Sequence, residues 1–543
     1  MLLRRPAVIV SQGLEKFSIR IGASALSGLL LCACFPSLDW NRLVWVAVLP
    51  LVLAVTAESN RARAFFLGYL TGAIFLAGSC YWFVYVMRRY GGLGLPLSVG
   101  VLVLFLVVFS VFFGAFGWAE AWVAQRSRGL ALLLSPFWWV TLELARTYLI
   151  TGFPWNLLGY AVEPTGLRQL ASVTAVYGLS FLAVATSAWL AWWALEPRRW
   201  PRAALVASWA VLLVVANRVQ FLLPTPQTQD HLREAFLVQP NIPLDESVLE
   251  QWAPWRDPKR LAQLVNTTVD AVCQGQPSVT AGTMLDCSAR RAGQNSAPLV
   301  IWPENPAPFY FDRDLVFRNA LGTMAGHTGA YVISGTTTFD PSGQRPRNSA
   351  VVLDRQGRVV LVYDKIHLVP FGEYVPWWAF PSKIEKITFE VGDFVPGTDY
   401  KIAETPEGGI GVFICYESIF PQLVRQLVAR GAGVLVNISD DGWFGDSAAP
   451  AQHLEMARLR AIENGRYLLR TTNDGITAII DPRGEVVARL PRYETRILSG
   501  RFSYRNTRTF YTAHGDVFAW LSVAATAAIV LAVELAGRKK EGL

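Results

Sequence analysis

The sequence predicts a polytopic α-helical membrane bundle of about eight spans that carries one α/β domain. Three observations lead there. Apolar residues make up 52% of the 543 and charged residues only 17%, against about 25% charged in a soluble domain. The charges concentrate between about residues 230 and 510. Long apolar segments fill the chain on both sides of that stretch.

Seven apolar segments precede residue 224, roughly at 19–38, 43–57, 64–87, 93–120, 129–149, 168–195 and 203–223, and an eighth runs from about 515 to 536. Crossing a bilayer takes about 20 apolar residues, fewer where the bilayer thins. Ala64–Met87 and Gln169–Leu195 carry no charge, whereas Leu43–Ala57 is short. Buried helices of a soluble protein would show a recurring polar face, and these segments lack one.

Basic residues set the orientation. Arg4, Arg5, Lys16 and Arg20 lie at the first segment, Arg61 and Arg63 between the second and third, and Arg126 and Arg128 between the fourth and fifth. Arg198, Arg199 and Arg202 lie between the sixth and seventh, and Arg538, Lys539 and Lys540 near the end. With eight spans all of these share one side, the cytoplasmic one; Arg88 and Arg89 are the exception. The first span then serves as an uncleaved signal. The expected division is a seven-span bundle at 1–223, an outward-facing catalytic domain at 224–510, and a last span with a cytoplasmic tail at 511–543. The formal charge of +8 belongs to this topology, and no nucleic-acid partner is expected.

Within 224–510 short β-rich runs alternate with helical stretches. The runs are Glu234–Gln239, Leu299–Trp302, Tyr331–Thr337, Ser349–Leu353, Val359–Tyr363, Ile410–Cys415, Val434–Ser439, Tyr467–Thr472 and Thr477–Asp481. Helices are expected over Leu249–Ala271, Arg313–His327, Pro421–Arg430 and Ala451–Asn464. Such alternation argues an α/β domain around a largely buried sheet. Residues 273–297, rich in Gly, Ser, Gln and Ala, read as a loop insertion. Cys273 and Cys287 are the only cysteines of the domain besides Cys415. In an oxidising compartment they are expected to pair and leave Cys415 free.

Three strand-like runs end in chemistry: a carboxylate at Glu304 after Trp302-Pro303, an amine at Lys365 after Tyr363-Asp364, and a thiol at Cys415 after Val412-Phe413-Ile414. Each is unremarkable alone, since a buried cysteine is most often a small hydrophobe. Together, at strand ends of one α/β domain, they converge as active sites of such sheets do. A thiolate is the nucleophile, and a nearby cation favours it. Lys365 fits that role and can neutralise a tetrahedral oxyanion with a backbone N–H beside Cys415. Glu304 fits the proton carrier. Glu373 is a candidate to orient Lys365. Glu417, two residues past the nucleophile, would face the same way as Cys415 on a strand. His367 is read as structural. Trp377, Trp378, Phe380 and Phe389 within 376–394 suggest a lid that dips into lipid.

The segments Trp302-Pro303-Glu304, Lys365-Ile366-His367-Leu368-Val369-Pro370-Phe371-Gly372-Glu373 and Cys415-Tyr416-Glu417 resemble the Glu-Lys-Cys set of the nitrilase superfamily. Thr151-Gly152-Phe153-Pro154-Trp155, Asp441-Gly442-Trp443-Phe444-Gly445-Asp446-Ser447 and Gln452-His453-Leu454-Glu455-Met456-Ala457-Arg458 narrow the likeness. The whole chain resembles the bacterial apolipoprotein N-acyltransferases. That resemblance implies an αββα sandwich on an eight-span bundle, with Glu304, Lys365 and Cys415 as triad. Glu373, Tyr416 and Glu417 would support it, with Asn348 and an entrance tryptophan, nearest at Trp252. The 273–297 insertion departs from the family pattern.

On this reading Cys415 takes an acyl chain from a membrane phospholipid and passes it to the α-amine of a diacylglyceryl apolipoprotein. The enzyme would act as a monomer in the bacterial inner membrane with its catalytic domain in the periplasm, without metal or cofactor. A membrane-tethered amidase with water as acceptor would need the same triad. A transporter with a regulatory head would instead place ionisable residues inside the spans, and Glu143 and Arg146 are the candidates, though they could simply pair near a helix end.

Overall fold

The computed structural model describes residues 16–163, 165–195, 199–219, 232–242, 258–273, 285–288, 297–307, 309–374 and 394–541. Helices α1 (Phe17–Ala33), α2 (Leu49–Thr56), α3 (Arg61–Ser79), α4 (Trp82–Arg89), α5 (Leu95–Ala124), α6 (Arg128–Tyr148), α7 (Ala171–Leu195) and α8 (Arg199–Arg218) precede the α/β domain. Among the described residues, Arg61–Ser79, Leu95–Ala124, Ala171–Leu195 and Val517–Leu535 are long and apolar enough to cross a membrane. Phe17–Ala33, Asn41–Thr56 and Val206–Arg218 are shorter apolar helices.

Two segments depart from simple spans. The apolar run 64–87 is broken, because α3 ends at Ser79 and α4 restarts at Trp82. Helix α7 is kinked at Ala175, which has φ +54°. The N–H of Val176 beyond that kink donates to Glu463 Oε1 at 3.1 Å. A carboxylate of the α/β domain thus caps a helix of the bundle, at the positive end of its dipole.

The α/β domain begins with β1 (Arg233–Gln239), α9 (Pro258–Val272), β2 (Leu299–Ile301), α10 (Leu315–Thr328), β3 (Tyr331–Phe339), β4 (Pro346–Leu353) and β5 (Val359–Asp364). It continues with β6 (Ala403–Thr405), β7 (Gly408–Ile414), α11 (Pro421–Ala429), β8 (Ala432–Ser439) and α12 (Ala449–Asn464). It closes with β9 (Leu468–Thr472), β10 (Ala478–Ile480), β11 (Val486–Arg489) and β12 (Arg496–Phe502), after which α13 (Phe510–His514) and α14 (Val517–Glu541) lead back to the bundle. Two six-stranded sheets form, ordered β12-β1-β2-β3-β4-β5 and β11-β10-β9-β8-β7-β6.

Successive side chains of a strand face opposite ways, and that rule divides the first sheet cleanly. Phe236, Val238, Val300, Val332 and Val351 pack under Leu261, Val265, Phe317 and Leu321 of α9 and α10. Leu237, Ile301, Ile333, Ala350 and Val352 belong to the core shared with Val412, Leu435 and Val436 of the second sheet. With α11 and α12 contributing to that core from the second sheet's side, the layers are the expected αββα sandwich. The edges β6, β11 and β12 were not expected. Cys273 and Cys287 are joined by a disulfide, which ties the end of α9 to a segment hydrogen-bonded to His327 of α10.

Helix α12 seats the domain on the bundle. Gln452 accepts from Trp155 Nε1 at 2.7 Å and donates to the carbonyls of Pro36 and Ser79. Arg460 donates to Tyr160 and pairs with Glu463, all buried. The loop carrying Trp155 is held from α6: Glu143 Oε1 accepts from Trp139 Nε1 and from the N–H of Leu158, and Arg146 donates to the Trp155 carbonyl. Glu143 and Arg146 of α6 therefore fasten a loop.

Candidate active site

Glu304, Lys365 and Cys415 stand just past the C-terminal ends of β2, β5 and β7. Their sequence runs end in apolar strands, so the fold delivers all three to one rim of the sandwich. Cys415 does not extend its strand, however. It has φ +50° and opens a tight helical turn over Cys415–Ile419. Positive φ is costly for a side chain with a Cβ and is kept where the surroundings enforce it.

Lys365 is 1% exposed. Its Nζ donates to Glu304 Oε1 at 3.3 Å and to Glu373 Oε1 at 3.0 Å. The Asn348 amide donates to the same two oxygens, at 2.7 Å each. Glu304 Oε2 accepts the Asp440 N–H at the end of β8, and Glu373 Oε2 the N–H of Val369. Both sheets thereby hold the general-base candidate. Burial alone would disfavour the Lys365 ammonium, but Glu304 and then Glu373 outweigh it and raise its pKa. Burial, with Glu304 adding to it, pushes the Cys415 thiol up, only partly offset by Lys365. That balance favours the thiol form of Cys415 at rest.

That state has a measurable signature. A free cysteine has a pKa of about 8.5, so iodoacetamide labelling of an ordinary thiol levels off near about pH 10. Labelling of Cys415, followed by intact mass, is expected to be slower at about pH 8 and still climbing above about pH 10. A plateau below pH 8 would contradict the arrangement.

Glu417 does not face the site as strand spacing suggested. The turn at Cys415 reverses it, so that it accepts from Tyr363 Oη and from the N–H groups of Ile366, His367 and Ile414. Burial lifts its pKa to about 7 against those N–H donors. Its carboxylate clamps the loop after β5 to the end of β7. Tyr416 is buried, with its hydroxyl 3.5 Å from the Gly152 carbonyl. His367 stacks on Phe420 at 3.8 Å between centroids, and burial followed by the Lys365 charge lowers it to about 4. Trp252, Trp377, Trp378 and almost all of 376–394 lie outside the described residues.

Sequence reasoning missed a second buried group. His453 Nε2 lies 3.1 Å from the Cys415 carbonyl and 2.6 Å from Ser418 Oγ. Its Nδ1 is 3.0 Å from Asp441, which is paired with Arg470 at 2.7 Å. Burial would raise the Asp441 carboxyl, but Arg470 and His453 outweigh it and hold it low. Being wholly buried, this chain of groups braces the turn of the nucleophile from below. Asp441 and His453 stand in segments that carry the family likeness, but the sequence assigned neither a role.

Close packing also fixes Glu304. A Cβ on Gly335 of β3 would lie 2.6 Å from the Pro303 carbonyl and 2.7 Å from Glu304 Cα. Gly335→Ala should therefore displace Glu304. Misplacement near 1 Å costs about 10²-fold in rate, so acyl-enzyme formation is expected to fall by about that factor with the melting transition retained. An unaffected rate would show that Glu304 need not sit where it does.

Residues 238–510 match the model of the carbon-nitrogen hydrolase family, and residues 27–189 match the apolipoprotein N-acyltransferase N-terminal domain. The apolipoprotein N-acyltransferase of Geobacter metallireducens is 38% identical over 528 residues, 95% of each chain. That of Methylococcus capsulatus is 34% identical over 93% of each, and that of Bradyrhizobium diazoefficiens 34% over 77% of this chain and 75% of its own. A thiol, an amine and carboxylates at the rim of an αββα sandwich, fused to a helical bundle, define a membrane-bound acyl-transfer enzyme of the carbon-nitrogen hydrolase type. The chain belongs to the apolipoprotein N-acyltransferase family.

Proposed function

We propose that the protein moves an acyl chain from a membrane phospholipid, through a thioester on Cys415, to the α-amine of the N-terminal diacylglyceryl-cysteine of apolipoproteins. The observation that carries this reading is the contact of the site with the bundle. Tyr416, next to the nucleophile, reaches Gly152, and Trp155 of the same loop stacks against His453 at 5.6 Å. A site seated on membrane helices suits two lipid substrates.

In the first step Glu304 takes the Cys415 proton as sulfur attacks the ester carbonyl. Lys365 and a backbone N–H beside Cys415 stabilise the oxyanion. The C–O bond breaks, Glu304 returns the proton to the glyceryl oxygen, and lyso-phospholipid departs. In the second step the amine attacks the thioester, Glu304 takes its proton, and the sulfur leaves as thiol with an amide formed. Glu373 and Asn348 hold Lys365 in place, and neither step calls for a metal or redox cofactor. Trp252 at the entrance, and Trp377 and Trp378 on a lid, would meet the lipid.

The accompanying topology has seven spans in 1–223, a periplasmic catalytic domain in 224–510, and a last span and cytoplasmic tail in 511–543. The enzyme works as a monomer in the inner membrane. Reporter fusions after residue 223 and at Leu543 should report periplasm and cytoplasm, respectively. For the chemistry, intact-protein mass is the test. Incubation with phospholipid should add one acyl chain, and a diacylated peptide should remove it as amide. An adduct lost equally fast in buffer would instead indicate water as the acceptor.

A further inference from the structure

The seam between bundle and α/β domain holds a cavity remote from Cys415. It offers about 370 Å³ and is lined by Arg483, Arg505 and Arg508, by Thr507 and Phe510, and by Ser172 at the start of α7. The end of α8 borders it through Val219. Ends of bundle helices thus border it.

The charge there is one-sided. Arg466 lies beside the cavity and spends its guanidinium on backbone carbonyls, those of Ala432 and Thr507. Burial, then the charges of Arg505 and Arg508, lower its pKa to about 10. Arg508 likewise donates to a carbonyl, that of Ala429. The carboxylate of Asp481 lies close to Arg483 and Arg505, but its Oδ1 accepts the N–H groups of Arg483 and Glu485. Among the described residues, three arginines and no acidic residue line the cavity. Planar guanidiniums match phosphate geometry better than any other side chain, and Phe510, 49% exposed, offers an aromatic surface of the kind found at membrane interfaces.

From this juxtaposition we infer that the seam cavity binds the phosphodiester of a membrane phospholipid, with its acyl chains along α7, α8 and α13. The bound lipid is a fixed component of the seam. It is distinct from the acyl donor, because the cavity shares no residue with the site around Cys415. Clustered guanidiniums hold a phosphodiester by charge-assisted, bidentate hydrogen bonds.

The test uses the full chain in detergent, carrying Cys415→Ala so that no donor is consumed. Native mass spectrometry counts phosphatidylglycerol retained through delipidation. The protein is expected to keep one phospholipid more than an Arg483→Gln/Arg508→Gln variant, whose apparent affinity should fall on the order of 10-fold. Both side chains are exposed, and an unchanged melting temperature confirms the fold; Arg483→Gln alone is the fallback, with a smaller loss. With Cys415 restored, the double variant should form acyl-enzyme at the parent rate under excess donor. Equal lipid retention in parent and variant would overturn the site. Displacement by millimolar inorganic phosphate, with no lipid retained, would overturn the lipid as its occupant.

Discussion

Cys415→Ala protein incubated with phospholipid is expected to gain no acyl chain, and turnover should fall to background. Cys32, Cys34 and Cys80 are in the bundle and Cys273 and Cys287 are bridged, so no other thiol stands at the strand ends. The informative partner is His367→Ala. With a pKa near 4, His367 is neutral throughout the working range, and its ring stacks on Phe420. Its loss should remove packing but only a few-fold of rate, far short of the general-base contribution of about 10²–10⁴. Intact mass decides both cases. An adduct that survives Cys415→Ala would overturn the nucleophile, and an adduct lost in a folded His367→Ala protein would point to a Cys-His mechanism.

Lys365→Met is expected to be nearly as severe, for two separable reasons. One is kinetic, since a single oxyanion donor is worth about 10²–10³ in rate. The other is electrostatic. Lys365 is the ammonium between Glu304 and Glu373, and Asn348 donates one hydrogen to each carboxylate without neutralising either. Removing one partner of a buried pair costs about 3–5 kcal/mol, so the melting temperature should drop along with the acyl adduct. Asn348→Ala is a useful contrast, because it removes the bridge and leaves the charges unchanged. A Lys365→Met protein that melts like wild type and still acquires an acyl chain would refute both arguments.

The triad was legible because each member follows an apolar run, and those runs become strands whose ends converge on one rim. Asn348 sits in a strand with no such punctuation, and only the family likeness singled it out. Glu417 was misplaced because spacing along a strand presumes that the strand continues. The φ of +50° at Cys415 comes from packing around the turn, which no local pattern records. His453 and Asp441 lay in quoted segments but received no role for a similar reason: the histidine meets a backbone carbonyl 38 residues away, and Asp441 meets Arg470. The missed strands are edges. In β11 Val487 is exposed and Val486 half-buried, and β12 begins with an exposed arginine. Edges of this kind carry charge and short runs as a guard against unwanted pairing, which blurs the alternation that reveals a strand.

The pairing of β1 with β12 governs how the chain is made. Arg233–Gln239 is synthesised early, yet its antiparallel neighbour is Arg496–Phe502. During translation that edge of the first sheet waits while nearly the whole domain emerges, and pairings so distant in sequence form slowly. The segments that offer Pro36, Ser79 and Trp155 to α12 precede the domain in the chain and are synthesised before it. The last helix follows β12 and the short α13, so it is synthesised after the clasp's second strand. Truncation anywhere before residue 502 would therefore strand an open sheet edge beside the membrane, a natural substrate for quality-control proteolysis.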